Sequence, residues 1–415
     1  MIRATIIGTF RVKNNRIVKY AVRNDVTGHV KEVEPEKIKH LIKTEKLKLS
    51  NYRLTTDNKL IPIRKTQSSV EKHYWLMNKD NTVAMFNSKG TIIKCIGTMP
   101  LDYGGDIREW IETRSRFSCA RNVKEFFKSI GINSTEDFIH IVHCVSLHDT
   151  FWVKEVGSKI KWNTVSPYRH NYSDVISTYA LEGTLTGGKE KNYFSPVMST
   201  AGSFPHTWKY NKGKIEFIKA SSKYTLGGSN SGREPFSEYY ASQIAQYVGF
   251  NCVEYRIRKH IRTDKRVDIV TECDCFTTEE VGTVTASVLE LKSYEEVAEF
   301  CKRLGKYSLE TFIDMLFLDC LLLNTDRHFG NIEFFVDNDS LKILGITPIF
   351  DNNYALLPRF MEGYDTFERS EYIARDNRSF DDLYKLVRKH KNYRKELIRL
   401  KEFIMRSVFK MGLSH

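Results

Sequence analysis

The sequence has no apolar run long enough to cross a membrane. Its longest apolar stretch, residues 313–323, is interrupted by Asp314 and Asp319 and falls well short of the roughly 20 residues that a span requires. The N-terminal residues also lack a long apolar segment ending in small side chains, which is the pattern of a secretory signal. These absences predict a protein that uses no membrane and resides in the cytoplasm.

The sequence also lacks the cysteine spacing of a disulfide framework or a zinc site. Its eight cysteines are scattered, and a chain of 415 residues is large enough to fold without disulfides. The closest pair, Cys273 and Cys275, is not followed by a second Cys or His pair at zinc-site spacing. We therefore expect reduced thiols and no structural zinc.

Low-complexity tracts and internal repeats are absent as well. Hydrophobic residues make up 41% of the chain and aromatic residues 12%, which excludes disorder as the dominant state. The length is more than one hydrophobic core usually organises. The composition therefore predicts a folded protein of two or three domains.

Positive charge is concentrated at the two ends of the chain, which carries a net charge of +13. Residues 1–65 contain 16 Lys/Arg against six Asp/Glu, and residues 388–410 contain nine against two. A basic surface attracts polyanions, although many such surfaces are only solvated. The N-terminal segment thus has two interpretations, a solvated surface or a binding site for nucleic acid or an acidic partner.

The pattern of apolar residues predicts an α+β protein in four parts. Residues 1–65 alternate apolar and polar positions around one helix after Pro35, and a polar linker follows at residues 65–69. Residues 73–175 read as short strands followed by helices, residues 176–277 as strands and glycine-containing loops, and residues 278–415 as mostly helical. Strands followed by helices are typical of a two-lobed enzyme whose site lies between the lobes.

The clearest chemical motif lies in residues 324–331, a polar loop between an apolar helix and a strand. Asp326 and Asn331 stand in the Asp-x-x-x-x-Asn spacing of protein kinases, where the Asp accepts the substrate hydroxyl proton and the Asn holds Mg²⁺. Asp351 follows an apolar pair twenty residues later, beyond a predicted hairpin at residues 332–345. Oxygen ligands from Asn331 and Asp351 suit Mg²⁺, whose charge offsets that of a transferring phosphoryl group.

This motif resembles the HipA-like family of bacterial serine/threonine kinases over residues 73–400, and its Asp-Arg-His-x-x-Asn core is also similar to phosphatidylinositol kinases. The resemblance implies a two-lobed protein-kinase-like fold with a small β-rich N-terminal module, and ATP and Mg²⁺ as cofactors. It also implies a toxin–antitoxin context with an antitoxin-like regulator. His328 would lie close to the reacting phosphate, or alternatively brace the loop.

The resemblance further implies a lysine on a strand and an acidic partner on a helix. Lys219 lies on the predicted strand 214–220, and Glu238 lies in the first turn of a helix predicted to begin near Pro235. Lys223 and Glu234 are the nearest rivals for these two roles, and a surface ion pair is the alternative.

A phosphate-binding loop is implied just before this strand, where small residues let backbone amides approach phosphates. The candidates are Ser199, Thr200, Ala201, Gly202 and Ser203. The loop departs from the usual pattern, because it has one glycine and His206 stands where relatives carry a lysine. By the same resemblance Ser199 is the expected autophosphorylation site, with Thr200 and Ser203 as alternatives.

The adenine-binding segment is expected where the strand 267–271 ends. The resemblance places it at residues 273–276, so that Cys273, Cys275 and Phe276 belong to the nucleotide site. The predicted function is ATP- and Mg²⁺-dependent phosphoryl transfer to Ser/Thr hydroxyl groups of a protein substrate. The alternatives are a kinase for a lipid or small-molecule hydroxyl, and a nucleotide-sensing regulator that binds nucleic acid with little turnover.

Overall fold

The fold is described from a computed structural model. The residues that it describes are 1–12, 16–62, 71–114, 123–184, 190, 193–200, 202, 204–221, 232, 234–322, 324 and 326–356. The chain forms two compact units, Met1–Lys72 and His73–His415. The predicted linker at residues 65–69 and the basic segment at residues 388–410 lie outside the described residues.

The first unit is a four-stranded sheet with one helix and a small hairpin. Strand order is β3-β2-β1-β4, with β4 parallel to β1, and β5 pairs with β6. Helix α1 has proline in its first turn and buries Ile38 completely, as the sequence predicts. The elements are β1 Ile2–Val12, β2 Arg16–Asn24, β3 Val30–Val33, α1 Pro35–Lys43, β4 Leu47–Leu49, β5 Tyr52–Leu54 and β6 Leu60–Pro62.

The second unit begins with an antiparallel sheet of order β10-β7-β8-β9, against which helices pack. Ser134 caps α4 by accepting a hydrogen bond from the backbone N–H of Asp137. The elements are β7 His73–Asn78, β8 Asn81–Asn87, β9 Ile92–Cys95, α2 Ile107–Thr113, α3 Val123–Ser129, α4 Thr135–Val142, β10 Phe151–Glu155, α5 Trp162–Val165 and α6 Asp174–Glu182.

Helix α6 corrects the interpretation of residues 176–277 as beginning with strands and loops. Ser173 caps its start, and Gly183 ends it in the left-handed conformation. Ile176, Tyr179 and Ala180 follow helical spacing and are buried, with the Tyr179 ring stacked on Phe126 at 3.9 Å. The expected region of strands therefore starts only after this helix.

A second four-stranded sheet follows, with order β11-β12-β14-β13 and all three pairings antiparallel. Helix α7 packs against it and supplies Ala241, Ala245 and Val248 to the largest core. The elements are β11 His206–Asn211, β12 Lys214–Ala220, α7 Glu234–Val248, β13 Arg256–Ile261 and β14 Val267–Asp274. The predicted strand at 214–220 is confirmed.

The last described part joins a three-stranded sheet, of order β15-β16-β17, to two helices. Helix α9 is buried along most of its length, in agreement with its apolar composition. The predicted hairpin at 332–345 is confirmed as β16 and β17. The elements are β15 Val281–Thr285, α8 Tyr294–Leu304, α9 Lys306–Leu322, β16 Glu333–Asp337 and β17 Ile343–Ile346.

Seven of the eight cysteines lie in the described residues. The seven cysteines there are free thiols, as expected. No helix within the described ranges is long and apolar enough to cross a membrane. The sheets and helices together make this a mixed α+β protein.

Candidate active site

Lys219 lies at the centre of a buried charge cluster. It occupies β12 between His206 of β11 and Thr271 of β14. Its ammonium nitrogen lies 3.4 Å from Glu238 Oε1 and in direct contact with Asp351 Oδ1. The side chain of Glu238 is 1% exposed, whereas that of Asp351 is 23% exposed. The structure thus brings together three of the residues singled out from the sequence.

Glu238 is held in place from two sides. Helix α7 begins at Glu234, so Glu238 opens its second turn. The sequence instead predicts Glu238 in the first turn. Thr271 of β14 donates a hydrogen bond to the other carboxylate oxygen, at 3.1 Å. The rival Glu234 instead accepts a hydrogen bond from Ser221 at 2.7 Å, and Lys223 lies outside the described residues.

Asp351 reaches Lys219 because the segment after β17 pairs with the loop after α7. Ile349 exchanges backbone hydrogen bonds with Asn251 and Val253, both at 2.9 Å. The backbone N–H of Asp351 then donates to the hydroxyl oxygen of Tyr255 at 3.4 Å. Asp351 has φ 57°, a left-handed conformation that is uncommon outside glycine, although aspartate adopts it more often than most residues, and that is concentrated at functional sites.

The three charges shift one another's pKa values. Burial alone would lower the pKa of Lys219, but attraction to Asp351 and Glu238 outweighs it, so the pKa is raised and the ammonium stays charged. Burial raises the pKa of Glu238 despite the attraction of Lys219. Burial also acts to raise the pKa of Asp351, but Lys219 prevails and lowers it. Asp351 is therefore the stronger ionic partner of the lysine.

Arg327 anchors the loop that carries Asp326 and Asn331, a role that sequence reasoning missed. Its guanidinium is 1% exposed and donates to both carboxylate oxygens of Asp319, at 2.9 and 3.1 Å. It also donates to the carbonyl oxygens of Asn331 at 3.1 Å and Phe350 at 2.8 Å, and to Asn352 Oδ1 at 2.8 Å. One side chain thus fixes helix α9, the loop and the residue before Asp351. An aspartate inside the apolar helix was the sequence signal that could have revealed it.

The Asn331 side chain turns back toward the backbone of Asp326. The Asn331 side-chain amide approaches the backbone carbonyl of Asp326 at 3.5 Å, and Asn324 accepts from the Asp326 backbone N–H at 3.4 Å. His328 Nδ1 accepts from the Gly330 N–H at 3.1 Å and caps a short 3-10 turn. The imidazole also contributes to the lowered pKa of Asp351. His328 therefore braces the loop and acts electrostatically on Asp351, and its place beside a reacting phosphate stays a prediction.

The oxygen donors of this cluster fit a magnesium ion better than a softer metal. Asn331 offers a carboxamide oxygen and Asp351 a partly exposed carboxylate, and Mg²⁺ typically takes one or two such ligands together with phosphates and water. Among the described residues no group of three His, Cys, Asp or Glu side chains is arranged to hold a metal by itself. This donor set agrees with a metal that arrives together with a phosphate ligand.

The candidate phosphate loop is tied to backbone carbonyl groups. Ser199 Oγ donates to Val145 and Pro196, both at 2.9 Å. Thr200 Oγ1 donates to Pro196 at 3.0 Å and accepts from the Trp208 indole at 2.8 Å. A Cβ on Gly202 would meet the His206 ring at 3.0 Å, which explains glycine there. Ala201 and Ser203 lie outside the described residues.

The phenyl ring of Phe204 follows this loop and lies over the charge cluster. Its centroid is 5.5 Å from Lys219 Nζ, a cation–π distance. The same ring meets Tyr354 edge-on at 5.9 Å. Phe204, two residues before β11, is thereby placed beside Lys219.

The predicted adenine-binding segment connects β14 to β15. Cys273 is still within β14, opposite Phe217, and burial raises the pKa of its thiol. The Cys275 backbone N–H donates to Ile215 at 2.9 Å. Phe276 lies with its ring 6.0 Å from those of Phe335 and Phe350. Cys273 and Cys275 thus continue the sheet. The Phe276 side chain lies beside Phe350, the residue before Asp351.

Residues 275–280, which we call the connecting segment, are clamped by side chains from residues 162–169. Glu279 accepts hydrogen bonds from the Trp162 indole and from Arg169 Nε, both at 2.9 Å. Tyr168 donates to Thr277 Oγ1 at 3.1 Å. Residues 162–169 thus hold the connecting segment in place.

Comparisons with known proteins found no matching family model and no matching curated protein. Solved structures do match. The crystal structure of CtkA, a proinflammatory kinase of Helicobacter pylori, is 26% identical with a TM-score of 0.29, covering 37% of this chain and 56% of that one. HipA of Shewanella oneidensis MR-1, from a toxin–antitoxin system solved with HipB and operator DNA, is 11% identical with a TM-score of 0.40, covering 80% of this chain and 91% of that one.

The HipA-like resemblance seen in the sequence is confirmed to the extent that a HipA structure is among these matches. The chain spans little more than half of the H. pylori kinase.

Proposed function

We propose that this protein transfers the γ-phosphoryl group of ATP, with Mg²⁺, to serine or threonine hydroxyl groups of proteins. The observation that carries the proposal is the contact of the Lys219 ammonium with both Glu238 and Asp351. These residues come from a strand, a helix and the segment after a hairpin, so a chance surface ion pair does not explain them. The buried setting makes their charges strong and fixed.

The residues divide into those that bind phosphate and those that bind metal. Lys219 binds phosphate oxygens, and Glu238 keeps its ammonium in place. Asn331 and Asp351 would hold Mg²⁺. When bound, the Mg²⁺–ATP complex supplies the transferable phosphoryl group and a cation that offsets its charge.

Asp326 is proposed to orient the acceptor hydroxyl and to take its proton. As the acceptor oxygen bonds to the γ-phosphorus, the bond from that phosphorus to its bridging oxygen breaks, and ADP leaves. The Arg327 anchor keeps the loop of Asp326 and Asn331 fixed to the residue before Asp351. The transfer then depends mainly on positioning and charge, as phosphoryl transfer generally does.

We propose a two-lobed arrangement for this chemistry. The β11–β14 sheet with α7 forms the smaller lobe, and the β15–β17 sheet with α8 and α9 forms the larger. The connecting segment joins them, and the nucleotide base lies against it. We likewise propose the division expected from the sequence, with a lead-in region at residues 73–175, the smaller lobe within residues 176–277 and the larger lobe within residues 278–415.

Labelled ATP tests the proposal directly. We expect Mg²⁺-dependent labelling of the protein itself or of added protein, reduced roughly 100-fold or more in Asp326→Asn and in Asp351→Asn. Asp339→Asn is a matched control, because Asp339 lies in the exposed β16–β17 turn and pairs with Lys79. Full labelling in both site variants, with unchanged thermal unfolding, would refute the assignment.

The proposed autophosphorylation sites remain Ser199, Thr200 and Ser203. Phosphorylation of Ser199 would break its hydrogen bonds to Val145 and Pro196 and release the loop from residue 145. Phosphosite mapping by mass spectrometry after incubation with ATP identifies the residue. Phosphate found only outside residues 199–203 would exclude these three.

The first unit favours a second proposal, that a polyanion such as nucleic acid binds there. Arg3 and Arg23 are exposed on the sheet face opposite the buried Ala4 and Ile6, where Lys19 pairs with Glu32. Exposed cations on one face fit phosphate groups. Binding of labelled duplex DNA by the full chain should weaken steeply as salt is raised. No measurable binding at low salt would exclude it.

A further inference from the structure

The β15–β17 sheet has one face in the helical core and one face toward the proposed nucleotide site. Ile332, Phe334 and Val336 lie in the core with α8 and α9. Because side chains alternate along a strand, Glu333 and Phe335 lie on the other face of β16. Their direct partners on β15 are Thr285 and Thr283. An acidic and an aromatic residue therefore stand side by side on this face.

Phe335 marks the end of this face that lies at the connecting segment. Its ring meets Phe276 edge-on at 6.0 Å, and Phe276 in turn lies 6.0 Å from Phe350. All three rings are only partly buried. Aromatic faces of this kind stack readily on a planar base.

Glu333 marks the end that lies toward the metal-binding residues. It is 8% exposed, and its electrostatic partners include His148 and Asp351. Thr283 hydrogen-bonds to its carboxylate and also contacts His148 Nδ1 at 3.0 Å. The Thr283 backbone N–H donates to the His148 carbonyl at 2.7 Å. The carboxylate is thus oriented from one side, by a threonine and a histidine.

The order along this face matches the order of parts in a nucleotide. Alternate residues of a strand are about 7 Å apart, so Phe335 and Glu333 are neighbours on this face, and the Glu333 carboxylate in turn interacts electrostatically with Asp351 of the Lys219–Asp351 cluster. A nucleotide presents a base, a sugar and phosphates in that order. Carboxylates in other nucleotide sites accept hydrogen bonds from ribose hydroxyl groups.

We infer that Glu333 determines sugar specificity, its carboxylate accepting a hydrogen bond from a ribose hydroxyl of the bound nucleotide. The inference rests on the proposed function and adds a selectivity to it, for ribonucleotides over deoxynucleotides. Thr283 and His148 are positioning residues, since they act through Glu333. The sequence reading had assigned no role to any of these three.

Equilibrium binding of ATP, 2′-deoxy-ATP and 3′-deoxy-ATP to the full chain tests the inference. A hydrogen bond to a charged acceptor predicts that the wild type binds ATP at least roughly tenfold more tightly than one deoxy analogue. Glu333→Gln should cut that ratio to about threefold or less, mainly by weakening ATP binding. Thr283→Val, which removes only the orienting hydroxyl, should cut it by a smaller factor.

Glu182→Gln is the matched control. The Glu182 side chain is 2% exposed and pairs with a histidine and a threonine, His260 at 3.0 Å and Thr263, but it lies on α6, outside the site. Its ratio should equal that of the wild type. ATP binding with no preference in the wild type, or with the same preference in Glu333→Gln, overturns the inference and leaves the proposed function standing. Failure of all three nucleotides to bind overturns both.

Discussion

Replacing Arg327 should lower both the stability and the activity of this protein, and a second substitution at Asp319 should restore only the stability. In Arg327→Met the carboxylate of Asp319 loses its buried cationic partner, and the carbonyls of Asn331 and Phe350 lose the guanidinium that donates to them. Removing one partner of a buried ion pair costs about 3–5 kcal/mol. Total stabilities are about 5–15 kcal/mol, so the variant should remain folded at low temperature and unfold at clearly lower urea concentration.

The double variant Arg327→Met/Asp319→Asn tests where that cost comes from. It leaves no unpaired buried charge, and the new amide oxygen could still accept the hydrogen bond that Asn324 donates to Asp319 at 2.8 Å in the wild type. We expect the free energy of unfolding to recover by about 2 kcal/mol relative to the single variant. Activity should not recover, because the loop carbonyls remain unanchored, and misplacing catalytic groups by about 1 Å costs on the order of 100-fold.

Urea titrations and labelled-ATP turnover measure the two quantities on the same samples. A single variant destabilised by less than about 1 kcal/mol would show that the buried pair is not the anchor described here. A double variant that regains wild-type turnover would show that the loop is positioned by other contacts. Arg327→Lys, which keeps the charge but offers fewer donors in a different geometry, should lie between wild type and Arg327→Met in both measurements.

Two further predictions concern the charges around the site. Glu238→Gln should lower turnover roughly tenfold or more, because Lys219 loses a partner that holds it in place. Glu234→Gln, which alters the contact with Ser221, should leave turnover unchanged, and equal effects of the two variants in kinetic assays would contradict this. The Glu279 pKa is lowered, since Arg169 and the neighbouring hydroxyl and indole donors outweigh burial. Its contribution to stability is therefore present above the unfolded-state carboxyl pKa of about 4.3 and lost as pH falls through the lower folded value. Urea titrations at pH 7 and pH 3 should show that the free energy of unfolding falls less between these pH values in Glu279→Gln than in the wild type. An equal fall in both proteins would refute the contribution of Glu279.

The sequence alone predicted the elements of the candidate site where local hydrophobic patterns agreed with the kinase-like Asp-x-x-x-x-Asn spacing. Lys219 lies on a strand with clear alternation, Glu238 on a helix with a recognisable start, and Asp351 after a predicted hairpin, so their elements could be placed without the fold. Helix α6 was missed because the glycines that follow it dominated the reading of residues 176–277. The Ser173 cap and the helical spacing of Ile176 and Tyr179 were visible in the sequence, but the helix has only nine residues.

The contacts that could not be predicted join residues far apart in the chain. Arg169 and Glu279 are separated by 110 positions, and nothing in either local sequence specifies the other. The Ile349 pairing with residues 251 and 253 is equally non-local, although it decides where Asp351 lies. Arg327 is intermediate, since its partner Asp319 was visible as a charge within an apolar helix.

The clamp on the connecting segment also bears on how the protein folds as it is synthesised. Trp162, Tyr168 and Arg169 leave the ribosome about 110 residues before Glu279, which at 5–20 residues per second is roughly 5–20 s earlier. The β7–β10 sheet and its helices can therefore be complete while the connecting segment is still being made. We expect the segment to meet a preformed surface, so that residues 73–175 serve the later half of the chain as a template during synthesis.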